Sequence, residues 1–211
     1  MALVNSMSKT DQMKTCDDSA QAFIERVSTI SAKYDEVRLV FDKYINSSLK
    51  DKMRQKRMKG KSTYYRVTDS TLIQNIALKN FLSNIQSKAE LTEYLAVKCF
   101  AYSKSPVSKL KKFLVTSGTE TKGNTSIPDV LLTHSQEEAD TLLILHTLMV
   151  VVDSPDTNVL ILLIEMYQRL PAATIFLTGR RNLRRNIAVQ PICEKLGEKC
   201  TSAMIGFHAF T

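Results

Sequence analysis

The chain has 211 residues, 44% of them hydrophobic and 24% charged, with a formal net charge of +8. That length fits one domain with a real core and no need of staples, and the apolar content excludes a disordered chain. Leu142 to Leu145 and Val159 to Ile164, the longest apolar stretches, fall far short of the ~20 residues that span a bilayer, and Met1 to Ser6 lacks the character of a signal peptide.

Met1 to Val4 reads as the tail of a strand or a strand-to-helix turn. Asp17-Asp18-Ser19 predicts a cap for a helix through about Ala32, with Ala22, Phe23, Val27 and Ile30 on one face. Glu36 to Asp42 predicts a buried strand ending in an acid. A basic helix follows from Asn46 to about Lys59, closed by Gly60. Thr68-Asp69-Ser70 predicts the start of another helix, with Leu72, Ile73, Ile76, Phe81 and Leu82 as its stripe. Leu91 to Phe100 reads as a helix, Phe113 to Thr116 as a short strand, and Ser117 to Pro128 as a loop.

A helix is expected from about Gln136 to Leu148, with acids in its first turn, where the macrodipole favours them. Met149 to Val152 reads as a strand, Thr157 to Arg169 as a helix or a strand running into one, ended by Pro171, and Thr174 to Thr178 as a strand. Pro191 to Leu196 predicts a last helix, closed by Gly197. Strands apolar on both faces alternate with helices, which predicts the α/β class: a mostly parallel central sheet flanked by helices. Residues 1–211 read as a single domain, with a basic helical insertion at 43–112. No internal repeat and no phosphate-cradling glycine motif is present.

The positive charge is clustered. Eight basic residues lie between Lys43 and Lys61 against one acid, Asp51, and four of the six residues from Arg180 to Arg185 are arginine. One-sign blocks fit a polyanion, so DNA or RNA is the expected partner, with no membrane role; a merely solubilising stretch is the bland alternative. Cys16, Cys99, Cys193 and Cys200 have no CxxC or zinc-finger spacing and read as mostly buried, reduced thiols of an intracellular protein, nuclear or cytoplasmic.

Two acidic clusters, Gln136 to Asp140 and Asp153 to Asp156, flank apolar runs. Gathered carboxylates repel unless a cation neutralises them, which points to a divalent-metal site. The same residues also suit plainer roles. Glu137, Glu138 and Asp140 can stabilise a helix N-terminus, Ser154 to Thr157 can form a turn and cap, and Asp42 can end a strand. On helical spacing Glu137 shares a face with Asp140 whereas Glu138 does not.

Several motifs resemble those of the flap-endonuclease-like (PIN-like) 5′ nucleases, in a branch common in invertebrate genomes and transposon-rich contexts. Val40-Phe41-Asp42, with the following helix bearing Lys50, Arg54 and Arg57, is similar to the second acidic strand of that family. Glu138-Ala139-Asp140 is similar to its acidic helix start. Val152 to Leu160 is similar to its acid-x-acid turn, and Gly206 to Thr211 to the approach to its last acidic motif.

The resemblance implies a PIN-like fold and a metal-dependent nuclease. Asp42, Glu138, Asp140 and Asp156 would be catalytic and metal-holding carboxylates for Mg²⁺ or Mn²⁺, and Lys50, Arg54 and Arg57 would contact phosphate. Measured against the family, the chain starts after the first Asp and stops before the last, so it reads as incomplete at both termini. Asn158 stands where an Asp is usual, and the connection from the Gln136 helix to the Met149 strand is short. Three lost ligands at ~10-fold each would weaken catalysis ~1000-fold. The expected outcome is impaired or absent cleavage, the alternatives being a non-catalytic nucleic-acid-binding remnant or an unstable transposon-derived fragment.

Overall fold

A computed structural model describes residues 4, 7, 13–44, 62–127, 139–145, 151–179 and 183–209. The expected basic helix from Asn46 to Lys59 lies outside them, as does most of Met1 to Val4. The chain divides into two compact units, one essentially 3–137 and the other 138–211.

The first unit opens with helix α1 (Cys16–Ser31). Thr15 is its N-cap, two positions before the Asp17-Asp18-Ser19 cap that the sequence suggests, and Asp18 closes a capping box: the Thr15 hydroxyl accepts from Asp18 N at 3.2 Å, and Asp18 Oδ2 accepts from Thr15 N at 2.8 Å. Cys16, Ala20, Phe23, Ile24 and Val27 are buried, so Ile24 takes the place expected for Ala22 and Ile30. Strand β1 (Glu36–Val40) follows.

Helix α2 (Leu78–Phe81) is a single turn, far shorter than the helix expected from Ser70. The preceding backbone is spent on tertiary partners instead. Ile73 N donates to Lys14 O at 2.8 Å, Cys16 N to Thr71 O at 2.9 Å, and Tyr65 N to Ser87 Oγ at 2.7 Å. A segment that gives its amides to neighbouring elements cannot also close i→i−4 rings.

Helix α3 (Ile85–Ser103) extends the expected Leu91 to Phe100 at both ends, with Asn84 as its N-cap. It buries Leu91, Leu95 and Cys99 in one core with Phe23, Phe41, Phe113 and Val115. Strand β2 (Lys112–Ser117) pairs in parallel with β1, Glu36 against Lys112 through Val40 against Thr116. Strand β3 (Glu120–Gly123) then pairs antiparallel with β2, inside the region expected to be a loop. Gly118, at φ +64°, turns the chain, and Thr121 buries its hydroxyl 2.9 Å from that of Thr116. A serine–glycine–threonine composition reads as a loop, but this short connection also suits a hairpin.

The second unit contains α4 (Ala139–Leu145), β4 (Val151–Asp153), α5 (Thr157–Glu165), a 3₁₀ turn (Tyr167–Arg169), β5 (Ile175–Thr178) and β6 (Arg185–Ala188). Helices α6 (Val189–Leu196) and α7 (Glu198–Ala209) close it, parted by Gly197 at φ +74°. Strands β4 and β5 are parallel, and β5 and β6 antiparallel. Neither β6 nor α7 was expected. The core gathers Val152, Val159, Leu163, Ile164, Phe176, Val189 and Cys193.

The α/β class is thus present. In place of one mostly parallel sheet, the described residues form two three-stranded sheets, ordered β1-β2-β3 and β4-β5-β6, each with one parallel and one antiparallel pairing. The antiparallel partners return through connections too short for a parallel crossover. Both units share one topology although the sequence carries no repeat. In each, the central strand is the most buried: Phe113 and Phe176 are both 0% exposed.

Phe113→Ala is therefore expected to cost about 3–5 kcal/mol, whereas Val97→Ala on the exposed side of α3 stays within about 0.5 kcal/mol. Urea denaturation followed by circular dichroism checks both.

Candidate functional site: acidic turns at strand ends

In α/β sheets, ligands bind beyond the carboxyl ends of parallel strands. Asp42 lies two residues past the end of β1. Phe41 N donates to Thr116 O at 3.0 Å, prolonging the pairing with β2, and this fixes the backbone beside Asp42. Asp42 belongs to the first unit, and Asp140 and Asp156 to the second. Asp140 stands half-buried in the first turn of α4. Glu138, Lys50, Arg54 and Arg57 lie outside the described residues, as do Glu137, His134 and His146.

The turn after β4 is the best-defined acidic feature. Asp153 ends the strand, and Ser154 N donates to Leu177 O at 3.0 Å, holding the turn against β5. The buried Ser154 hydroxyl accepts from Asp156 N at 3.2 Å. Asp156 is the N-cap of α5, and its Oδ1 accepts from Asn158 N at 2.9 Å. The ordinary turn-and-cap role weighed for Ser154 to Thr157 is therefore filled.

Asp153 has a cation of its own, because Arg184 Nη2 binds Asp153 Oδ2. The topology explains the reach. β5 lies between β4 and β6, and Thr178 pairs with Arg185, so Arg184 precedes β6 at the end of the sheet where β4 finishes with Asp153. Gly179, at φ +96°, permits the turn out of β5; a Cβ there would collide with the Leu183 carbonyl oxygen. Arginine density at 180–185 was visible in the sequence. Its use as a partner for Asp153 was not, because a hairpin unforeseen in the sequence supplies it.

Two further carboxylates converge in the first unit. Lys98 Nζ of α3 lies 2.6 Å from Asp17 Oδ1 and 3.1 Å from Asp69 Oδ2, and the Tyr94 hydroxyl donates to Asp69 Oδ1 at 2.8 Å. Hydrogen bonds from Tyr94 and Lys98 hold the Asp69 carboxyl below its ordinary range. The Lys98 ammonium is raised, chiefly by its hydrogen bond to Asp17, and the Tyr94 hydroxyl is raised, chiefly by burial. The network ties the 62–76 segment to α1 and α3. No sequence motif reveals it, because its members lie far apart in the chain and match no spacing.

Among the described residues, no three His, Cys, Asp or Glu side chains gather as a metal ion would require. The donor chemistry at the β4 turn does not fit a divalent ion by itself. One carboxylate is neutralised by Arg184, one caps a helix, and Asn158 brings no charge. The thiols offer no alternative centre. Cys16, Cys99 and Cys193 are buried, and burial pushes Cys16 up to about 11 and Cys99 up to about 12, far from a reactive thiolate. No helix among the described residues is long and apolar enough to cross a membrane.

Because Asp156 works as a cap, Asp156→Ala is expected to cost about 1 kcal/mol and Asp156→Asn only a few tenths, asparagine capping as well as aspartate. Thermal melts of both variants beside the parent chain measure the difference.

Comparison of the chain with protein-family models, with curated protein sequences and with solved structures returns no match.

Proposed function

We propose that this chain binds the phosphate backbone of DNA or RNA, as a relative of the flap-endonuclease-like (PIN-like) nucleases with weak or absent Mg²⁺- or Mn²⁺-dependent cleavage. The observation that carries the reading is the Arg184–Asp153 pair. A side-chain cation stands at the acidic turn where the resemblance would put metal chemistry. Arg184 there meets a fixed carboxylate and can exchange it for a phosphate oxygen, since guanidinium forks suit both. The net charge of +8 supports the same ligand class.

A nuclease of this kind would use Asp42, Glu138, Asp140 and Asp156 to hold ions that activate water and neutralise charge at the scissile phosphate. In this chain Asp156 spends one oxygen on the helix cap. Binding without efficient hydrolysis is the reading these residues favour.

Fluorescence anisotropy with a labelled single strand, run as DNA and as RNA, tests it alongside a cleavage assay in Mg²⁺ and in Mn²⁺. Five phosphate contacts on a single strand predict a roughly 100-fold loss of affinity between 50 and 200 mM salt, with no product in either metal. Metal-dependent product that vanishes in Asp140→Ala or Asp156→Ala would establish the nuclease reading instead. A broad, non-cooperative melt would establish an unstable fragment.

A further inference from the structure

The acidic turns lie at the carboxyl ends of the parallel strands. The opposite edge of the first sheet, where β1 and β2 begin and β3 ends, is basic. Between Glu93 and Glu120 the sequence has five lysines and no acid. Four of them, Lys104, Lys109, Lys111 and Lys112, fall on the α3–β2 connection and the start of β2, and all four are exposed. Lys33, also exposed, joins them from the α1–β1 turn, because Lys112 N donates to Asp35 O at 3.2 Å and Glu36 pairs with Lys112.

Two acids lie at this edge, and both are already engaged. Asp35 is met by Lys111 Nζ at 2.5 Å, and Glu36 by Arg38 at 2.6 Å. Lys33, Lys104, Lys109 and Lys112 form no ion pair among the described residues, although Lys112 stands near enough to Asp35 to help Lys111 hold its carboxyl below the ordinary range. Lys104 Nζ sits 4.2 Å from the centre of the Phe100 ring, and Lys33 Nζ 5.0 Å from that of Tyr34. These rings order the two side chains while leaving their charge in place.

The α3–β2 connection is also built rather than loose. Leu110 is buried, and Ser108 N donates to Ser105 O at 3.0 Å. The Asn124 amide donates to Ser103 O at 3.1 Å and to Lys111 O at 3.2 Å, while its carbonyl accepts from Phe113 N at 2.8 Å. Ser105 Oγ accepts from Val107 N, and Ser108 Oγ from Leu110 N at 3.2 Å. Neither hydroxyl donates to a described residue, so both keep a proton to offer.

The geometry points to this edge as a contact surface for a nucleic-acid backbone, distinct in sequence from Lys50 to Arg57 and at the opposite end of β1 from Asp42. Lysine ammoniums and serine hydroxyls on a fixed connection are the donors that position phosphates without reading bases. An anionic membrane would want apolar anchors beside the lysines. Val107 is the only large apolar residue exposed on this connection. One valine supplies little insertion area, so nucleic acid is the favoured polyanion.

A nucleic-acid ligand here rests on the binding reading proposed above, and the test separates the two. The probe is a fluorescein-labelled 20-nucleotide single strand, as DNA and as RNA, titrated with the full chain from 50 to 300 mM NaCl. The variants are Lys104→Glu/Lys109→Glu/Lys112→Glu at this edge and Lys50→Glu/Arg54→Glu/Arg57→Glu elsewhere. Each avoids the ion pairs at Asp35, Asp69 and Asp153. The edge variant is expected to weaken binding at least ~10-fold and to flatten the slope of log K against log salt by about 2, roughly 0.7 per lost phosphate contact on a single strand. A glutamine version of the same triple, with a parent-like circular dichroism spectrum and melt, must show the same flattening. Parent-like affinity and slope in both edge variants, with loss in the Lys50 variant, would overturn this surface and leave the binding reading standing. No binding by the parent chain would overturn both. Edge-dependent capture on phosphatidylserine vesicles with unchanged nucleic-acid binding would overturn the choice of ligand.

Discussion

Gathered carboxylates must be neutralised, and this chain neutralises them with its own side chains. Asp17 and Asp69 share the Lys98 ammonium, Asp153 takes the Arg184 guanidinium, and Asp35 takes Lys111. Each pair also joins segments distant in sequence. Lys98 pins an irregular segment to two helices, Lys111 closes the start of the β1–β2 pair, and Arg184 ties the start of β6 to the end of β4. Pairs as exposed as these add little to stability, since water screens them. Their larger consequence is chemical. A carboxylate already holding an arginine offers a divalent ion much less than a free one does.

Beneath the charges lies a simpler demand. Each unit buries one central strand, β2 or β5, between a parallel and an antiparallel neighbour. A strand buried in this way requires only apolar side chains, so two sequences without detectable similarity satisfy the same topology. The polar residues that remain inside are paired, as Thr116 with Thr121 and Ser154 with Asp156 N. The carboxyl ends of the parallel strands carry the acids, while the opposite edge of the first sheet carries lysines. The molecule thus presents two kinds of strand end, with different chemistry at each.

Elements with a strong local signal were legible in the sequence. Helix α1 was visible from its acidic start and apolar spacing, β1 from Val37, Leu39 and Val40, β2 from the run Phe113 to Val115, and α5 from Asp156 and Pro171. Elements decided by tertiary contact were not. The helix expected at Ser70 gave way to a segment whose amides serve Lys14 and Ser87 and whose Asp69 and Thr71 carbonyls accept from Asp17 and Cys16. Strand β3 was hidden by a loop-like composition, and β6 by its flanking arginines. The candidate site was legible in part. Acids at strand ends follow from an apolar run meeting Asp42 or Asp153, and the cap role of Asp156 follows from Ser154 to Thr157. The cation that answers Asp153 arrives from a hairpin, and no spacing rule locates it.

Manganese binding measures the central claim most directly. Titrating the chain with Mn²⁺ and following the free ion by electron paramagnetic resonance reads the occupancy of the acidic turns without depending on turnover. If side-chain cations neutralise them, no saturable site should fill below about 1 mM, the weak end of oxygen-ligand affinity. Stoichiometric binding at low micromolar Mn²⁺ that is lost in Asp156→Asn would contradict that account, because the carboxylate assigned to a helix cap would then be a metal ligand.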